Sequence, residues 1–568
     1  MHMVLARVCF LVFLAPLIFG TSFFAWSQDQ SSWLNSCDND RPAEITDGNF
    51  TRELSSEYVL PQIDNAKITS ITLHQLNVFD TSLPEEDNAL FRFANRAHVT
   101  TKPEVIKSIL LFKENSKYDP KLLKESERLL RKQSYLYDAR VFAEPDCDGN
   151  IAVTVVTRDL WTLLPDISFS RSGGENTSRI GFRESNLFGQ GKRLSLTHID
   201  DTDRSGYLFV YDDPNILSTR YQGRLEYSDN DDGERHYIGI DYPFFSTNTP
   251  YSYGGLNFAD KRIEPLYENG ETVSEFLQET ELSQAYFGMA KQLDDGWTRR
   301  FIFGYRDEEH SFNKISETTL PIAQNRSLSY PYVQTQWFQD AFIKVKNFDS
   351  IYRTEDLNLG WNINTSLGYS DESISNDDSR WILNVTVSKS HFSSEQSLTR
   401  FLFSIDGNWN VEKGEAENLI TQLNFEYYLN THDLQSWYAQ LNITHGKHLT
   451  PDKQLTLGGE TGLRGFPARY LQGERRIVLN LEKRYYWEYD LLQLFKVGGA
   501  AYFDIGRVDG KALFVENSKF YKNVGFGLRM APSRANSGLV LHLDLAAPIN
   551  KPDKVDSVQW HFTVKNRF

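Results

Sequence analysis

From Pro165 to Phe568 the chain shows no helical period, and short alternating runs follow one another between Gly, Asn, Asp, Ser and Pro. Arg193 to His198, Tyr207 to Tyr211, Tyr237 to Tyr242 and Trp381 to Val387 are examples. Regular short strands with turn signals restrict the fold to a sandwich, a barrel or repeated blades. No motif recurs at a fixed period, which argues against a propeller. In the last strand Val558, Trp560, Phe562, Val564 and Phe568 share one face, and Gln559, His561, Thr563, Lys565 and Arg567 share the other. In the strand before it, Leu539, Leu541, Leu543 and Leu545 alternate with Val540, His542 and Asp544. A sandwich or a small soluble barrel also has one apolar and one polar face, so periodicity alone excludes neither.

The N-terminus narrows the choice. Val8 to Phe24 is strongly apolar after Arg7, and Ala25-Trp26-Ser27 places small residues at the −3 and −1 positions of a cut before Gln28. Residues 1–27 read as a secretory signal peptide; for the alternative, a transmembrane anchor, the run is short and its end too cleavage-like. No later stretch approaches ~18 consecutive apolar residues, and the mean hydropathy is −0.48. An outer-membrane barrel gives such a profile, because lipid-facing and lumen-facing residues alternate along every strand. The aromatic content, 14% with 28 Tyr, 38 Phe and 11 Trp, fits the girdles such barrels carry at both interfaces. Export, a repeat-free β region of roughly 400 residues and a terminal Phe568 together favour an all-β transmembrane antiparallel β-barrel over 165–568, in the bacterial outer membrane.

Residues 28–66 are polar and read as a linker. Residues 67–160 have a different texture. Ile68, Ile71, Leu73 and Leu76 mark a strand. Thr101-Lys102-Pro103-Glu104 reads as a capping box before Val105, Ile106, Ile109 and Leu110 at helical spacing. Asp119-Pro120 starts a second helix with Leu122, Leu123, Leu129 and Leu130 on one face. Asp138 to Phe142 and Ile151 to Thr157 are strands joined through Asp148-Gly149-Asn150. The expected order is strand, helix, helix, strand, strand, a small α+β domain.

Other signals carry less. The net charge of −16 argues against a nucleic-acid partner. Acidic clusters such as Asp200 to Asp203 and Asp229 to Glu234 read as solvated loops. Asp201-x-Asp203-x-Ser205-Gly206 partly mimics a calcium loop, but the strand at Tyr207 makes it a hairpin turn. Cys9 leaves with the signal, so Cys37 and Cys147 are left as a possible disulfide, which sequence alone does not decide. No Gly-x-Ser-x-Gly, His-Glu-x-x-His or phosphate-loop pattern occurs. No catalytic residue, metal site or cofactor is expected.

The most informative segment is Gly458-Gly459-Glu460-Thr461-Gly462-Leu463-Arg464-Gly465-Phe466. It closely resembles the Arg-Gly-Phe loop motif of the outer-membrane assembly and two-partner-secretion transporter superfamily, the BamA/TamA type of bacterial surface antigen. The likeness continues through Arg475 to Tyr486 and through Ala501-Tyr502-Phe503-Asp504-Ile505-Gly506. Residues 67–160 resemble that family's polypeptide-transport-associated (POTRA) domain, notably at Tyr118-Asp119-Pro120 and Tyr135-Leu136.

The strand faces agree with this resemblance. Ile477, Leu479, Leu481, Tyr485 and Trp487 take one parity, and Arg476, Asn480, Glu482 and Arg484 the other, so Glu482 faces the lumen. Asp504 does the same one strand on. Arg464, together with Gly462, Leu463, Gly465 and Phe466, would then sit on a loop pinned in the lumen by bidentate bonds to Glu482 and Asp504. The bland alternative is a surface-loop arginine above carboxylates lining a wet pore.

Family barrels have sixteen strands, whereas the alternating runs here reach about twenty. Family assembly factors usually carry several POTRA domains, and this chain has room for one. The resemblance implies a non-enzymatic role in outer-membrane protein insertion or polypeptide translocation, with the POTRA-like domain in the periplasm offering a strand edge by β-augmentation. A passive or dedicated partner-protein export channel is the alternative, and a barrel-embedded lipid-modifying enzyme a weaker one. The expected partners are outer-membrane lipids, an unfolded client polypeptide and accessory periplasmic or lipoprotein subunits. Trp560, Phe562, Val564 and Phe568 form the expected C-terminal assembly signal.

Overall fold

The structure is a computed structural model that describes residues 59–565 except 85, 166, 347, 350–353, 395, 433, 493, 511–518 and 534–539. The expected signal peptide, most of the linker, Cys37 and Phe568 lie outside the described residues. Cys147 is exposed in a hairpin turn.

The N-terminal domain runs β1 (Ile68–Leu76), α1 (Ala89–Ala97), α2 (Pro103–Ile109), α3 (Pro120–Arg131), β2 (Leu136–Pro145) and β3 (Ile151–Asp159). The sheet order is β1-β3-β2, with β1 parallel and β2 antiparallel to β3. Ile68, Ile106, Leu123, Leu130, Leu136 and Val155 are fully buried at its centre. Asp119 caps α3 by accepting from the Lys121 N–H at 2.9 Å, and Pro120 occupies the first turn, where a missing N–H costs nothing.

Two local expectations fail here. There is no capping box at α2: its N-cap is Lys102, without a side-chain bond. Thr101 instead donates to Asp159 at 3.0 Å and accepts from Asn186 at 2.9 Å, tying the domain to the barrel. A tertiary bond to a buried carboxylate outcompetes the local cap. The second difference is α1, an extra helix. Its one buried side chain is Phe91, while Leu90 and Phe93 point outward; its apolar and polar residues do segregate, but over only about two and a half turns, and the sequence reading passes over it.

Among the described residues the rest is a closed, 20-strand antiparallel barrel. Its first strand is broken into Leu163–Pro165 and Ser168–Ser172, both paired on Glu175–Glu184. The count agrees with the alternating runs and exceeds the sixteen that the resemblance implies. Asp201 to Arg204 form the hairpin turn between Arg193–Asp200 and Ser205–Asp213. The outer wall exposes a continuous set of large apolar and aromatic side chains, including Phe182, Ile238, Phe287, Phe303, Leu367, Trp437, Phe526 and Leu543. Monomeric soluble surfaces do not carry a patch of that extent, and a bilayer is the solvent that suits it. The inner wall is polar and charged, with Asp504, Asn523, Arg529 and Asp544 buried.

Both ends of the lumen are occupied. On the side away from the N-terminal domain, the 448–474 connection folds inward and forms a small sheet of Leu455–Leu457 on Leu471–Gly473. Its Leu457, Leu463, Phe466 and Tyr470 pack against Val478, Val508 and Tyr521 of the inner wall. On the domain side, strands Phe342–Lys346 and Thr354–Asn358 make a hairpin. Beyond them Phe348 is buried against Leu398, Tyr428 and Tyr438, and Asp349 pairs with Arg400 at 2.6 Å.

Candidate functional site: a loop arginine in the lumen and the seam beside it

Arg464 enters the lumen and is 7% exposed. Its Nε and Nη2 donate to the two oxygens of Asp504 at 2.9 and 2.7 Å, a planar fork on a planar carboxylate. Its Nη1 donates to Glu482 at 2.8 Å, and the guanidinium lies 3.4 Å from the centre of the Tyr502 ring. Glu482 and Asp504 thus both lie within hydrogen-bond distance of the guanidinium. The surroundings are drier than a wet pore, since Asp504 is 0% and Glu482 7% exposed.

Register explains the convergence. Asn480 sits opposite Asp504, and Asp504 opposite Asn523, so three inward polar side chains line up across adjacent strands. Asn480 donates to Asp504 at 2.7 Å and to the Gly462 carbonyl at 2.6 Å, while Asn523 donates to Asp504 at 2.8 Å. Arg484 donates to the second oxygen of Glu482 at 3.0 Å, and Arg529 to Asp544 at 2.7 Å.

The loop residues each meet a specific demand. Gly462 has φ +106°, which an L side chain rarely adopts. A Cβ on Gly465 would stand 2.6 Å from that of Asn523. Leu463 and Phe466 are fully buried. Asn480, Arg484 and Asp544 sit on inward parities that are legible in the sequence. Tyr502, Asn523, Arg529 and His561 emerge as neighbours only once the register is known.

His561 links this network to the barrel's closure. It lies inward on the last strand, Gln559–Lys565, and contacts the Arg464 carbonyl with Nε2. Its Nδ1 lies 3.1 Å from the Ser172 hydroxyl and 3.3 Å from the Gly173 N–H, at the first hairpin. The Ala468 N–H of the loop donates to the Gly173 carbonyl at 2.7 Å. Gly173 has φ +60°, and a Cβ there would stand 2.1 Å from the Ala468 nitrogen, so this approach requires glycine.

Yet the backbone seam itself is thin. Among the described residues the first and last strands share one register pair, Phe562↔Arg171. The last strand pairs with its other neighbour from Val540↔Lys565 through Ala546↔Gln559. Trp560 faces outward, and Phe562 and Val564 share its parity, so this part of the expected assembly stripe lies on the wall.

A second polar cluster joins the domain to the domain-side hairpin. Arg131 forks onto Asp356 at 2.8 and 2.6 Å, and Lys344 pairs with Glu127. Arg128 pairs with Asp340 at 2.9 Å and lies 3.7 Å over the Phe342 ring. Burial alone would raise the Glu127 pKa, but Arg131 and Lys344 hold its carboxyl below the usual range. Asp138 nearby is pushed up by burial. Glu127 also accepts from the Val141 N–H at 2.9 Å, and Arg131 donates to the Ala139 carbonyl at 3.1 Å. These two side chains thus occupy backbone groups of β2, one of the two edge strands of the sheet.

No family model and no curated protein matches the chain. Among solved structures it is similar to CdiB from Escherichia coli, at 11% identity over 88% of this chain and 76% of that one, with a TM-score of 0.47. It is also similar to CdiB from Acinetobacter baumannii, at 13% identity over 88% and 73% and a TM-score of 0.40. A third is BamA from Haemophilus ducreyi lacking POTRA domains 1–3, at 12% identity over 87% and 84%, with a TM-score of 0.37. Identities this low carry no residue roles across.

Proposed function

We propose that this chain inserts or translocates polypeptides at the bacterial outer membrane, with its POTRA-like domain in the periplasm. The observation that carries this reading is the seam. Strands elsewhere in the barrel are zipped over many residues, whereas among the described residues the first and last meet in register at one pair. A client strand that pairs with either free edge satisfies its backbone groups while it enters lipid, which no open edge in a bilayer otherwise allows. The mechanism is non-covalent. The loop held by Arg464 supports the closed seam through His561, and the β2 edge receives the client by β-augmentation once Glu127 and Arg131 release it.

An open pore for solutes fits less well, because the 448–474 loop and the 342–358 hairpin enter the lumen from opposite ends. The test is a cysteine pair at Arg171 and Phe562. Directly opposed strand residues have the spacing a disulfide needs. Oxidation should abolish complementation of a depleted strain, and reduction should restore it. Undiminished activity with the seam locked would refute insertion at the seam. Comparing outer-membrane and secreted proteomes on depletion separates the sub-classes. Broad loss of barrels means assembly, and loss of one secreted protein means a dedicated exporter.

A further inference from the structure

α1 belongs to neither the loop network nor the expected client edge, and it is built to hold apolar side chains outward. Asn88 caps it by accepting from the Phe91 N–H at 2.9 Å. Phe91 turns inward and stacks on Phe79 with ring centroids 4.0 Å apart and planes 4° apart. Asn95 fixes the next turn, accepting from the Phe79 N–H at 3.0 Å and donating to the Phe79 carbonyl at 2.8 Å. With the helix so anchored, Leu90 and Phe93 are each 60% exposed. Together with Ala97 they form a stripe at i, i+3 and i+7. Arg96 is exposed one step around the helix beside Phe93.

The position of this stripe identifies its partner. Val78, Phe79 and Phe91 pack with Trp161, which leads into the first barrel strand, and with Leu494, in the turn between Arg475–Leu491 and Phe495–Asp509. The resulting groove, about 280 Å³, is bounded by Phe93, Trp161, Leu494, Phe495 and Pro532. Just up the wall Tyr485, Trp487 and Tyr489 face outward, 44%, 44% and 71% exposed, and Leu492 in the turn is 71% exposed. Outward aromatics at a strand end mark the level of a membrane interface. The stripe is therefore continuous with the lipid-facing wall at its domain-side rim, not with the lumen.

We propose that α1 is a membrane-contact helix: Leu90 and Phe93 enter the acyl chains of the domain-side leaflet, and Arg96 meets phospholipid phosphate. This is the behaviour of a short interfacial amphipathic helix, in which apolar insertion and attraction to anionic headgroups add. Here the barrel supplies the main anchor, and the helix fixes the angle of the N-terminal domain beneath the seam.

The experiment uses full-length protein in vesicles, without any client, with Cys37 and Cys147 replaced by serine. An environment-sensitive fluorophore on Ala97→Cys reports the helix. Bilayers of phosphatidylcholine and phosphatidylglycerol carry a shallow nitroxide quencher. The expected result is quenching by the lipid nitroxide to the extent seen for a label at Tyr489, with protection from aqueous iodide. Leu90→Asp with Phe93→Asp should lose that quenching and gain access to iodide; both side chains are exposed, so folding is retained. Arg96→Glu should weaken quenching in both anionic vesicles and pure phosphatidylcholine, and more in the former. A label open to iodide in wild type overturns the proposal. So does a label shielded from both quenchers, which would mean that polypeptide covers the stripe. Neither result bears on the seam, because the assay contains no client.

Discussion

Arg464→Ala isolates the loop from the barrel without touching any strand. The substitution removes three charge-assisted bonds and the contact with Tyr502. Removing one partner of a buried ion pair costs about 3–5 kcal/mol, because a charge is left uncompensated. The structure places this case at the low end. Asp504 keeps its bonds from Asn480 and Asn523, and Glu482 keeps Arg484. About 3 kcal/mol is a shift of more than 100-fold in the equilibrium between docked and undocked loop. Buried networks are more vulnerable than solvated ones, so this exceeds the ~0–1 kcal/mol that a wet lumen would predict. Arg464→Lys should recover only part, since an ammonium is a point charge without the planar fork. The assay is a spin label at Pro467, half-buried on the loop, with barrel insertion followed by heat-modifiable mobility. A mobile label in an inserted barrel, with lost complementation, is the expected outcome. An unchanged spectrum and unchanged activity would refute the lock and leave Arg464 a bystander.

Gly465→Ala should resemble Arg464→Ala in the same spectra although it removes no charge, because its Cβ would stand 2.6 Å from that of Asn523. Residues 59–162 should fold alone, showing a cooperative thermal transition by circular dichroism; the start includes Leu60, 4% exposed, and Pro61, whose carbonyl accepts from the Tyr118 hydroxyl at 2.8 Å. Docking of α3 on the domain-side hairpin should weaken with acid. The Glu127 pKa is depressed in the folded state, so its stabilisation is full above the unfolded value of about 4.3 and lost as pH falls through the folded one. Spin labels at Lys124 and Ile343 should separate as the pH falls below the unfolded value, and Glu127→Gln should weaken that pH dependence, the rest being carried by Asp356 and Asp340.

The sequence carries strand parity well and register poorly. Parity places Glu482 and Asp504 on the lumen side, because each strand alternates faces every residue. It does not say that Asn480, Asp504 and Asn523 stand abreast, because register depends on loop lengths and bulges that one chain does not reveal. The same gap hides His561, which reads in the sequence only as a polar position on the last strand. Loop insertion is legible only through the motif resemblance, since a Gly-rich segment otherwise reads as a surface turn. Thr101 misleads for a different reason: a capping signal is local, and a buried Asp159 offers a stronger bond from elsewhere in the chain.

Loop and seam are one unit in this geometry. The loop's Ala468 N–H and the last strand's His561 both bond the first hairpin, at Gly173 and Ser172, and His561 also contacts the Arg464 carbonyl. Among the described residues the backbone ladder adds one register pair, Phe562↔Arg171, between the two edge strands. Side-chain and loop contacts thus supply closure that strand pairing supplies everywhere else. His561 bonds the first hairpin directly, and the Ala468 N–H bonds it from the loop that carries Arg464. A ladder of backbone bonds opens cooperatively and at high cost; under the proposed function, a closure of this kind would open when one element moves. That difference is what a barrel needs if it is to admit a strand at one edge while every other strand stays zipped.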